Sequence, residues 1–377
     1  MELLTCCRTD EELEQLRLDV EAGDHRAKYR IQSNLVAEKN GFRCTTCGRL
    51  YPMVEVRHNG RNCDVKALSR PLGRRLKYKK ASAVFRGDHY YATNKKTLLR
   101  FRIDDAGNGI LADETPIMGQ TEYVSVSPDG RYIATQTFGG TVAVIDSATK
   151  ETIRKRRSMD TNGTLRFIGR DRLVYYQHDE GLFCWNFRED QQTLLWQAPA
   201  QWREPNQRPT VTCHNVLEPQ EGRLVFQLTA GIWNFALILD GLTPRPPLRL
   251  PDTRMLSHLC SFPGGYTLPL KDRILVYNEE FLLIDEFGYP KLITRLDGGG
   301  LFPIDTFDSH VPHHVHLSPN GRWALLDFHT ELMLMDLETD EVRFFLWNHG
   351  TTSNGGGFLD DHRLWYTWAD STYIMDI

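Results

Sequence analysis

Hydrophobic positions follow two different periods along this chain, and the period changes near residue 80. Between residues 9 and 40 apolar residues recur at helical spacing, whereas from residue 81 onward short runs alternate apolar and polar residues. A period near 3.6 indicates an amphipathic helix, and a period of two indicates a half-buried strand. The pattern therefore predicts a small helical segment followed by a large β-rich region.

The N-terminal segment has the signals of two short helices. Thr9 followed three residues later by Glu12 forms a capping-box pattern, which predicts a helix that starts near Asp10. Gly23 ends this first pattern, and a second apolar stripe ends at residues 40–41. The apolar positions are Leu13, Leu16 and Val20 in the first run, and Ala27, Ile31 and Leu35 in the second. The prediction is a helical hairpin.

The β-rich region contains two segments that match turn for turn. Residues 123–153 read "YVSVSPDGRYIATQTFGGTVAVIDSATKETI", with two hairpins joined at a Gly-Gly pair. Residues 314–345 repeat this pattern, since Ser-Pro-Asp-Gly-Arg at 127–131 aligns with Ser-Pro-Asn-Gly-Arg at 318–322. The offset of 191 residues (318 minus 127) corresponds to four units of about 48 residues.

Weaker copies complete a set of seven units. The seven segments are 83–104, 123–153, 165–187, 217–241, 266–288, 314–345 and 356–377. A short antiparallel sheet cannot cover both of its faces alone, but several sheets stacked radially cover one another and leave only short edges. The predicted fold is therefore all-β, a seven-bladed β-propeller of four-stranded antiparallel blades. Because the last unit stops after about three strands, ring closure needs a strand from residues 64–80.

The repeats resemble the WD40/YVTN-like β-propeller superfamily in divergent form. The resemblance lies mainly in "VSVSPDGRYIATQ" and "VAVIDSATKETI", although no blade combines a Gly-His start with a Trp-Asp end. It implies a rigid ring that presents its loops to protein partners. The domain division that we predict is a helical hairpin and knuckle module at 1–63, a basic linker or closure strand at 64–80, and the propeller at 81–377.

Cysteines concentrate before the propeller, in "GFRCTTCGRLYPMVEVRHNGRNC". The spacing is C-x2-C-x10-H-x4-C, and the stretch resembles a zinc-ribbon knuckle that lacks the second CxxC pair. The prediction is a structural zinc, and the alternative is a set of small buried thiols that pack a core. The predicted ligands are Cys44, Cys47, His58 and Cys63, with Cys6 or Cys7 as substitutes.

A histidine cluster opens the sixth unit. Aligning Ser318 on Ser127 places His314 and His316 on one face of an innermost strand. Such a cluster could hold copper, zinc or iron at the hub of the propeller, and the alternative is packed histidines that donate to main-chain carbonyls. The cluster consists of His310, His313, His314 and His316.

Composition and charge exclude few functions. With 41% hydrophobic residues, 25% charged residues and a formal charge of -4, the chain has no overall field that favours nucleic acid or an anionic membrane. The start of the chain lacks a signal-peptide pattern, which predicts a cytoplasmic protein without a membrane partner. The basic run at 69–80 could contact phosphate backbones, but a solvated linker is the alternative.

No G-x-S-x-G elbow, P-loop or dinucleotide fingerprint occurs in the chain. The leading hypothesis is a non-catalytic protein–protein interaction scaffold, a subunit of a larger assembly. The alternatives are a metal-dependent hydrolase or oxidoreductase that uses the histidine cluster, and a nucleic-acid-binding accessory protein. The candidate partner-binding residues, for which blade packing is the alternative role, are Trp202, Arg203 and Arg245.

Overall fold

The structure is a computed structural model. It describes residues 9–22, 35–38, 41–48, 50–52, 54–59, 61–63, 67–68, 72–76, 83–87, 89–94, 96–119, 121–157, 159, 163–177, 180–199, 202, 211–251, 257–294, 311–328, 331–347, 356–368 and 371–377. Within these residues, no helix is both long and apolar enough to cross a bilayer.

One helix, α1 (Asp10–Glu21), begins at the predicted capping box. The main-chain N–H of Glu12 donates to Thr9 Oγ1 at 3.2 Å, and the N–H of Thr9 donates to Glu12 Oε2 at 3.0 Å. These two bonds satisfy donors that the first turn of a helix leaves open.

Seven strands follow α1 before the first blade. They are β1 (Leu35–Glu38), β2 (Gly41–Cys44), β3 (Leu50–Pro52), β4 (Val54–His58), β5 (Arg61–Cys63), β6 (Ala67–Leu68) and β7 (Arg74–Arg75). The prediction of a second helix up to Asn40 is wrong where the structure describes that region, because β1 pairs antiparallel with β2. A short apolar run fits either period, and here cross-strand pairing decided the outcome. Residues 23–34 lie outside the described residues.

Seven sheets form the blades, and each predicted unit falls in a different sheet. The first blade comprises β8 (Ala83–Arg86), β9 (His89–Asn94), β10 (Thr97–Ile103) and β11 (Gly109–Pro116), and the second comprises β12 (Thr121–Val126), β13 (Tyr132–Thr137), β14 (Val142–Asp146) and β15 (Thr152–Arg156). The third blade comprises β16 (Arg166–Ile168), β17 (Arg172–Gln177), β18 (Gly181–Asn186) and β19 (Gln191–Trp196). The fourth blade comprises β20 (Val211–Gln220), β21 (Arg223–Ala230), β22 (Trp233–Asp240), β23 (Thr243–Pro244) and β24 (Leu248–Arg249).

The remaining blades complete the ring. The fifth blade comprises β25 (Cys260–Phe262), β26 (Gly265–Pro269), β27 (Ile274–Asn278) and β28 (Leu283–Phe287), and the linking strand β29 (Lys291–Thr294) follows it. The sixth blade comprises β30 (His314–Leu317), β31 (Trp323–Asp327), β32 (Glu331–Asp336) and β33 (Glu341–Trp347). The seventh blade comprises β34 (Gly356–Phe358), β35 (Arg363–Trp368) and β36 (Ser371–Asp376). The protein is thus an all-β seven-bladed propeller of antiparallel blades, in which first strands of neighbouring blades contact one another around a central channel.

Strands from before the first blade pair with the last blades. β7 pairs antiparallel with β36 and supplies the fourth strand of the seventh blade. β6 pairs parallel with β33 in the sixth blade, and β4 pairs with β29 between the fifth and sixth blades. The residues around 54–75 therefore contact the end of the ring, and the closing strand comes from the segment where the pattern required one.

Apolar side chains lie mainly between the blades. Within the described residues they form seven clusters, one at each junction of neighbouring blades. Trp185 and Tyr132 are fully buried at the junction of the second and third blades. At the junction of the seventh and first blades, Ile374 packs in the cluster that contains Tyr90. Each blade thus buries both faces against its two neighbours, which is the reason that a ring is stable.

Local side-chain hydrogen bonds form the first hairpin of the second blade. Ser127 Oγ accepts the main-chain N–H of Tyr132 at 2.8 Å and donates to Asp129 Oδ1 at 2.6 Å. Gly130 has a φ of +69°, which favours glycine at this position of the turn. The Arg131 guanidinium then reaches Asp146 at 3.1 Å, at the end of the third strand. The Ser-Pro-Asp-Gly-Arg motif therefore specifies this turn.

Candidate functional site

The central channel is the candidate site, and its wall has two chemically different sides. The starts of the fifth and sixth blades contribute three histidines, whereas the starts of the first four blades contribute two arginines, a glutamate, a histidine and hydroxyl groups. The alternating side chains of these strands place every second residue toward the channel. We call the two parts the histidine side and the arginine side.

On the histidine side, three imidazole rings lie nearly parallel. The ring centroids of His258 and His314 are 4.6 Å apart with an interplanar angle of 8°. The rings of His314 and His316, two residues apart on β30, are 6.2 Å apart at 10°. The rings therefore form one continuous stack across the fifth and sixth blades.

Burial keeps two of these three imidazoles uncharged. Burial, reinforced by the neighbouring His314, lowers the pKa of His258 to about 3 and that of His316 to about 4. The carboxylate of Asp327 is buried, and its Oδ2 lies 3.6 Å from His314 Nδ1. Nearby Asp327 opposes both shifts, but the loss of solvent around the imidazoles outweighs it. His258 and His316 are therefore neutral at neutral pH.

The stacked rings do not form a metal-binding group in the part of the chain that the structure describes. The lone pairs of imidazole nitrogens lie in the plane of the ring. In rings that are stacked face to face, these lone pairs therefore lie in parallel planes and do not point toward one common position. The main chain of His313 is used structurally, because its N–H donates to the carbonyl of Asp327 at 2.7 Å and its carbonyl accepts from His258 at 2.7 Å. Since His310 lies outside the described residues, a hub metal stays a prediction.

The four predicted zinc ligands lie in two different sheets. Cys44 ends β2 and Cys47 follows in the adjoining turn, whereas His58 ends β4 and Cys63 ends β5. His58 Nε2 lies 2.6 Å from Asp340 Oδ1. Across the described ranges these four side chains do not come together as one group that could hold a metal ion. A zinc on Cys44 and Cys47 stays a prediction, which elemental analysis of the purified protein tests; Cys6 and Cys7 lie outside the described residues.

The arginine side contains a cavity of about 490 Å³. In the lining of this cavity, Arg86 of the first blade and Glu218 of the fourth form an ion pair with an N···O distance of 2.8 Å. Arg166 of the third blade lines the same cavity. Sequence reasoning missed these three residues, although charged side chains inside alternating strand runs were an available signal.

The predicted partner-binding residues have contacts within the molecule. The ring of Trp202 stacks on Phe235 with centroids 4.0 Å apart, and it lies 5.9 Å from Trp196. Arg245 is ion-paired with Asp240, whose other partner is Arg223. Arg203 lies outside the described residues. Partner binding through Trp202 and Arg245 stays a prediction, and both residues have the packing contacts of the alternative.

An exposed apolar patch lies on the outer edge of the fifth blade. Leu282, Leu283 and Ile284, at the start of β28, are 63%, 55% and 58% exposed. We call these three residues the blade-five edge. The run "FLLI" departs from the alternation of a half-buried strand, and this departure was the signal in the sequence that could have identified the edge.

Comparison with known proteins identifies the fold alone. No family model matches the chain, and no curated protein matches it. The β-propeller domain of Myceliophteria thermophila Cps50 (Swd1) superposes with a TM-score of 0.57 at 12% identity, covering 81% of this chain and 100% of that one. Kuenenia stuttgartiensis hydrazine synthase gives a TM-score of 0.48 at 11% identity, covering 78% of this chain and 93% of that one.

Proposed function

We propose that this protein is a non-catalytic protein–protein interaction scaffold, with its propeller as a subunit of a larger assembly. The resemblance of the second and sixth units to WD40/YVTN-like repeats supports this role, and so does the ring of mutually packed blades. The observation that carries the proposal is the blade-five edge, which exposes three consecutive aliphatic side chains. Large exposed apolar patches on stable proteins are typical of interaction sites.

The outer strands of other blades show how an edge is normally protected. In the second blade β15 carries Arg154, Lys155 and Arg156, and such charges discourage pairing with another strand. In the sixth blade β6 pairs with the outer strand β33, and in the seventh blade β7 is itself the outer strand and consists of two arginines. Within the described residues no strand pairs with the outer side of β28, and although β28 carries Asp285 and Glu286, it begins with the exposed Leu283 and Ile284.

Charge around this edge indicates the kind of partner. Glu280 and Asp285 are exposed beside the apolar residues. Glu279 lies 4.0 Å from Arg223, whereas Glu286 is paired with Arg273 at 3.0 Å. An acidic, apolar strand edge suits an extended partner segment that alternates apolar and basic residues and adds a strand to the sheet.

A paired set of variants tests the proposal. The double variant Leu283→Asp with Ile284→Asp removes the apolar contact and adds repulsion, so we expect it to weaken partner binding by at least about 100-fold. Leu194→Asp is the matched control, because Leu194 is 47% exposed on β19, the outer strand of the third blade. This control should retain the partner.

The measurement combines capture from native lysate with two readouts of chemistry. Photo-crosslinking from position 283 should reach a basic, extended segment of the captured protein, and hydrogen exchange should show protection of the β28 amides in the complex. Binding that survives the double variant, or a complex without protection of β28, would contradict the proposal.

The two alternative functions stay predictions. The metal-dependent enzyme depends on the histidine cluster, whose described rings are stacked and do not form a metal group. Nucleic-acid binding depends on the basic run, in which Arg74 and Arg75 form β7 of the seventh blade. A salt-dependent mobility shift tests the second alternative.

A further inference from the structure

The cavity on the arginine side is large enough for a small molecule. Its volume of about 490 Å³ lies between the first strands of the first four blades. Pockets that bind small molecules measure about 300–1,000 Å³ and place a few polar groups on a mostly apolar wall. The polar lining consists of Arg86, Tyr123, Ser125, Thr164, Arg166, His214, Asn215 and Glu218.

Arg166, one of the two arginines in this lining, has no carboxylate within ion-pair distance among the described residues. Glu218 is paired with Arg86 at 2.8 Å. The guanidinium of Arg166 donates to the carbonyl oxygens of Gly163 at 3.0 Å, Leu165 at 2.8 Å and, across the blade junction, Val216 at 3.3 Å. Carbonyl acceptors orient a guanidinium without neutralising it. These bonds use three of its five N–H groups and leave two without a partner in the described part of the chain.

The surroundings of Arg166 make this charge costly. Burial lowers the pKa of Arg166, and the negative charge of Glu218 opposes that shift only in part. A partly buried cation of this kind is stabilised by an anion that enters the cavity. The carbonyl bonds to the third and fourth blades already fix the guanidinium, so an incoming anion would meet a preorganised group.

Hydroxyl donors face the same space. Ser125 and Tyr123, at alternate positions of β12, line the cavity, and their hydroxyl groups have no hydrogen-bond partner among the described residues. Tyr123 lies against the backbone of the third blade at Gly163, where an added Cβ would be 2.4 Å from the tyrosine ring. Gly163 thus allows the 42% exposed ring of Tyr123 to form one wall of the cavity.

We propose that this cavity binds a small organic oxyanion, whose charged group is held by Arg166 and the Ser125 hydroxyl while Tyr123 contacts its organic part. Guanidinium N–H groups recognise two oxygens of one carboxylate or phosphate, so both chemistries fit. The ligand lies between the second and third blades, beside the first and fourth, and contacts none of the residues of the blade-five edge. This proposal is therefore independent of the scaffold function.

Titration of the full-length protein with two probes tests the proposal. Inorganic phosphate and malonate are titrated separately by calorimetry, with sodium chloride at equal ionic strength as the reference. We expect at least one of them to bind at millimolar concentration, and the preferred probe distinguishes a phosphate ligand from a carboxylate ligand. Arg166→Gln should weaken that binding by at least about tenfold, and Glu218→Gln should strengthen it by about tenfold, since it removes the opposing charge.

Arg154→Gln is the matched control. Arg154 also donates to main-chain carbonyls, of Phe187 at 3.1 Å and Arg188 at 3.2 Å, but it lies on the outer strand β15. Its replacement should leave anion binding unchanged. The proposal is overturned if neither probe binds beyond the chloride reference, if Arg154→Gln weakens binding as much as Arg166→Gln, or if Glu218→Gln has no effect. The Glu218→Gln result keeps the test decisive even where Arg166→Gln fails to fold.

Discussion

The second and sixth blades begin with the same hairpin and present different chemistry to the channel. Ser127 Oγ accepts the main-chain N–H five residues later at 2.8 Å, and Ser318 Oγ does the same at 2.9 Å. Both hydroxyls donate to the side chain two residues later, at 2.6 Å and 2.7 Å. These bonds lie within six residues of chain, so the motif alone is enough to form the turn in either blade.

The channel-facing positions of the two blades share nothing. Tyr123 and Ser125 of β12 face a cavity that contains the Arg166 guanidinium, whereas His314 and His316 of β30 belong to the histidine stack. The turn places no constraint on these positions, because its hydrogen bonds do not involve them. The repeat therefore fixes the shape of a blade and leaves the wall of the channel open to variation.

The largest expected effect concerns the acid at the end of the third strand. Asp336 is fully buried and bonded to Arg322 at 2.9 Å and Arg343 at 3.4 Å, whereas among the described residues Asp146 has one cationic partner, Arg131. Asp336→Asn removes the charge that holds two guanidinium groups, so we expect a loss of about 2 kcal/mol in the free energy of unfolding.

Asp146→Asn should lose about 1 kcal/mol, because it removes one such partner. Urea denaturation of both variants measures the difference. Equal losses, or a larger loss for Asp146→Asn, would show that the second guanidinium adds nothing and that the two blades are equivalent at this position.

The next effect separates the two blades by pH. Because the folded state lowers the pKa of His316 from 6.5 to about 4, the unfolded chain binds this proton first as the pH falls. Stability is therefore complete above pH 6.5 and decreases between 6.5 and about 4, by about 1 kcal/mol over the first pH unit. His316→Gln should remove this part of the decrease, as measured by urea midpoints across the pH range.

A control for this pH effect is His362→Gln, which replaces an exposed histidine in a turn of the seventh blade. His362 lies in the seventh blade, outside the histidine stack, so this variant should keep the decrease in stability that His316 produces. A His316→Gln profile that also coincides with the wild type would show that burial of the stack does not affect proton binding.

The smallest effect lies in the turn that the two blades share. The Ser127 hydroxyl donates to the carboxylate of Asp129, and the Ser318 hydroxyl donates to the amide oxygen of Asn320. Since bonds to an ionised acceptor are stronger, Ser127→Ala should cost about 1.5 kcal/mol and Ser318→Ala about 1 kcal/mol. In an Asp129→Asn background the two costs should become equal, as measured by thermal or urea unfolding. If the two serine variants still differ in the free energy of unfolding that they lose, the difference comes from the surrounding blade and not from the charge of residue 129.

Sequence reasoning predicted the blades well where local turn chemistry repeats. The units at 123–153 and 314–345 each become one blade, with the predicted turn at the predicted place. In the fifth blade the predicted unit at 266–288 begins within the second strand, β26, and leaves out the first strand, β25. The reason is that β25 has only three residues, Cys260–Phe262, which is too short to show alternation.

The candidate site was predictable only in part. The histidines of β30 were found because they are close in sequence, but their partner His258 comes from the fifth blade. Arg86 and Glu218 are 132 residues apart (218 minus 86), and no local pattern connects them. Whether an exposed run such as Leu283 and Ile284 is covered depends on which strands reach that edge, and this is a property of the packing.

By itself, the sequence determined the number of blades, their turns and the need for a strand from before the first blade, because each of these follows from residues within a few positions of one another. The tertiary structure alone decided that β6 and β7 complete the sixth and seventh blades, that no described strand pairs with the outer side of β28, and that a partly buried arginine meets hydroxyl donors in the channel. Ring closure brings together strands that are distant in sequence, and the charges and edges that result exist only after the ring has formed.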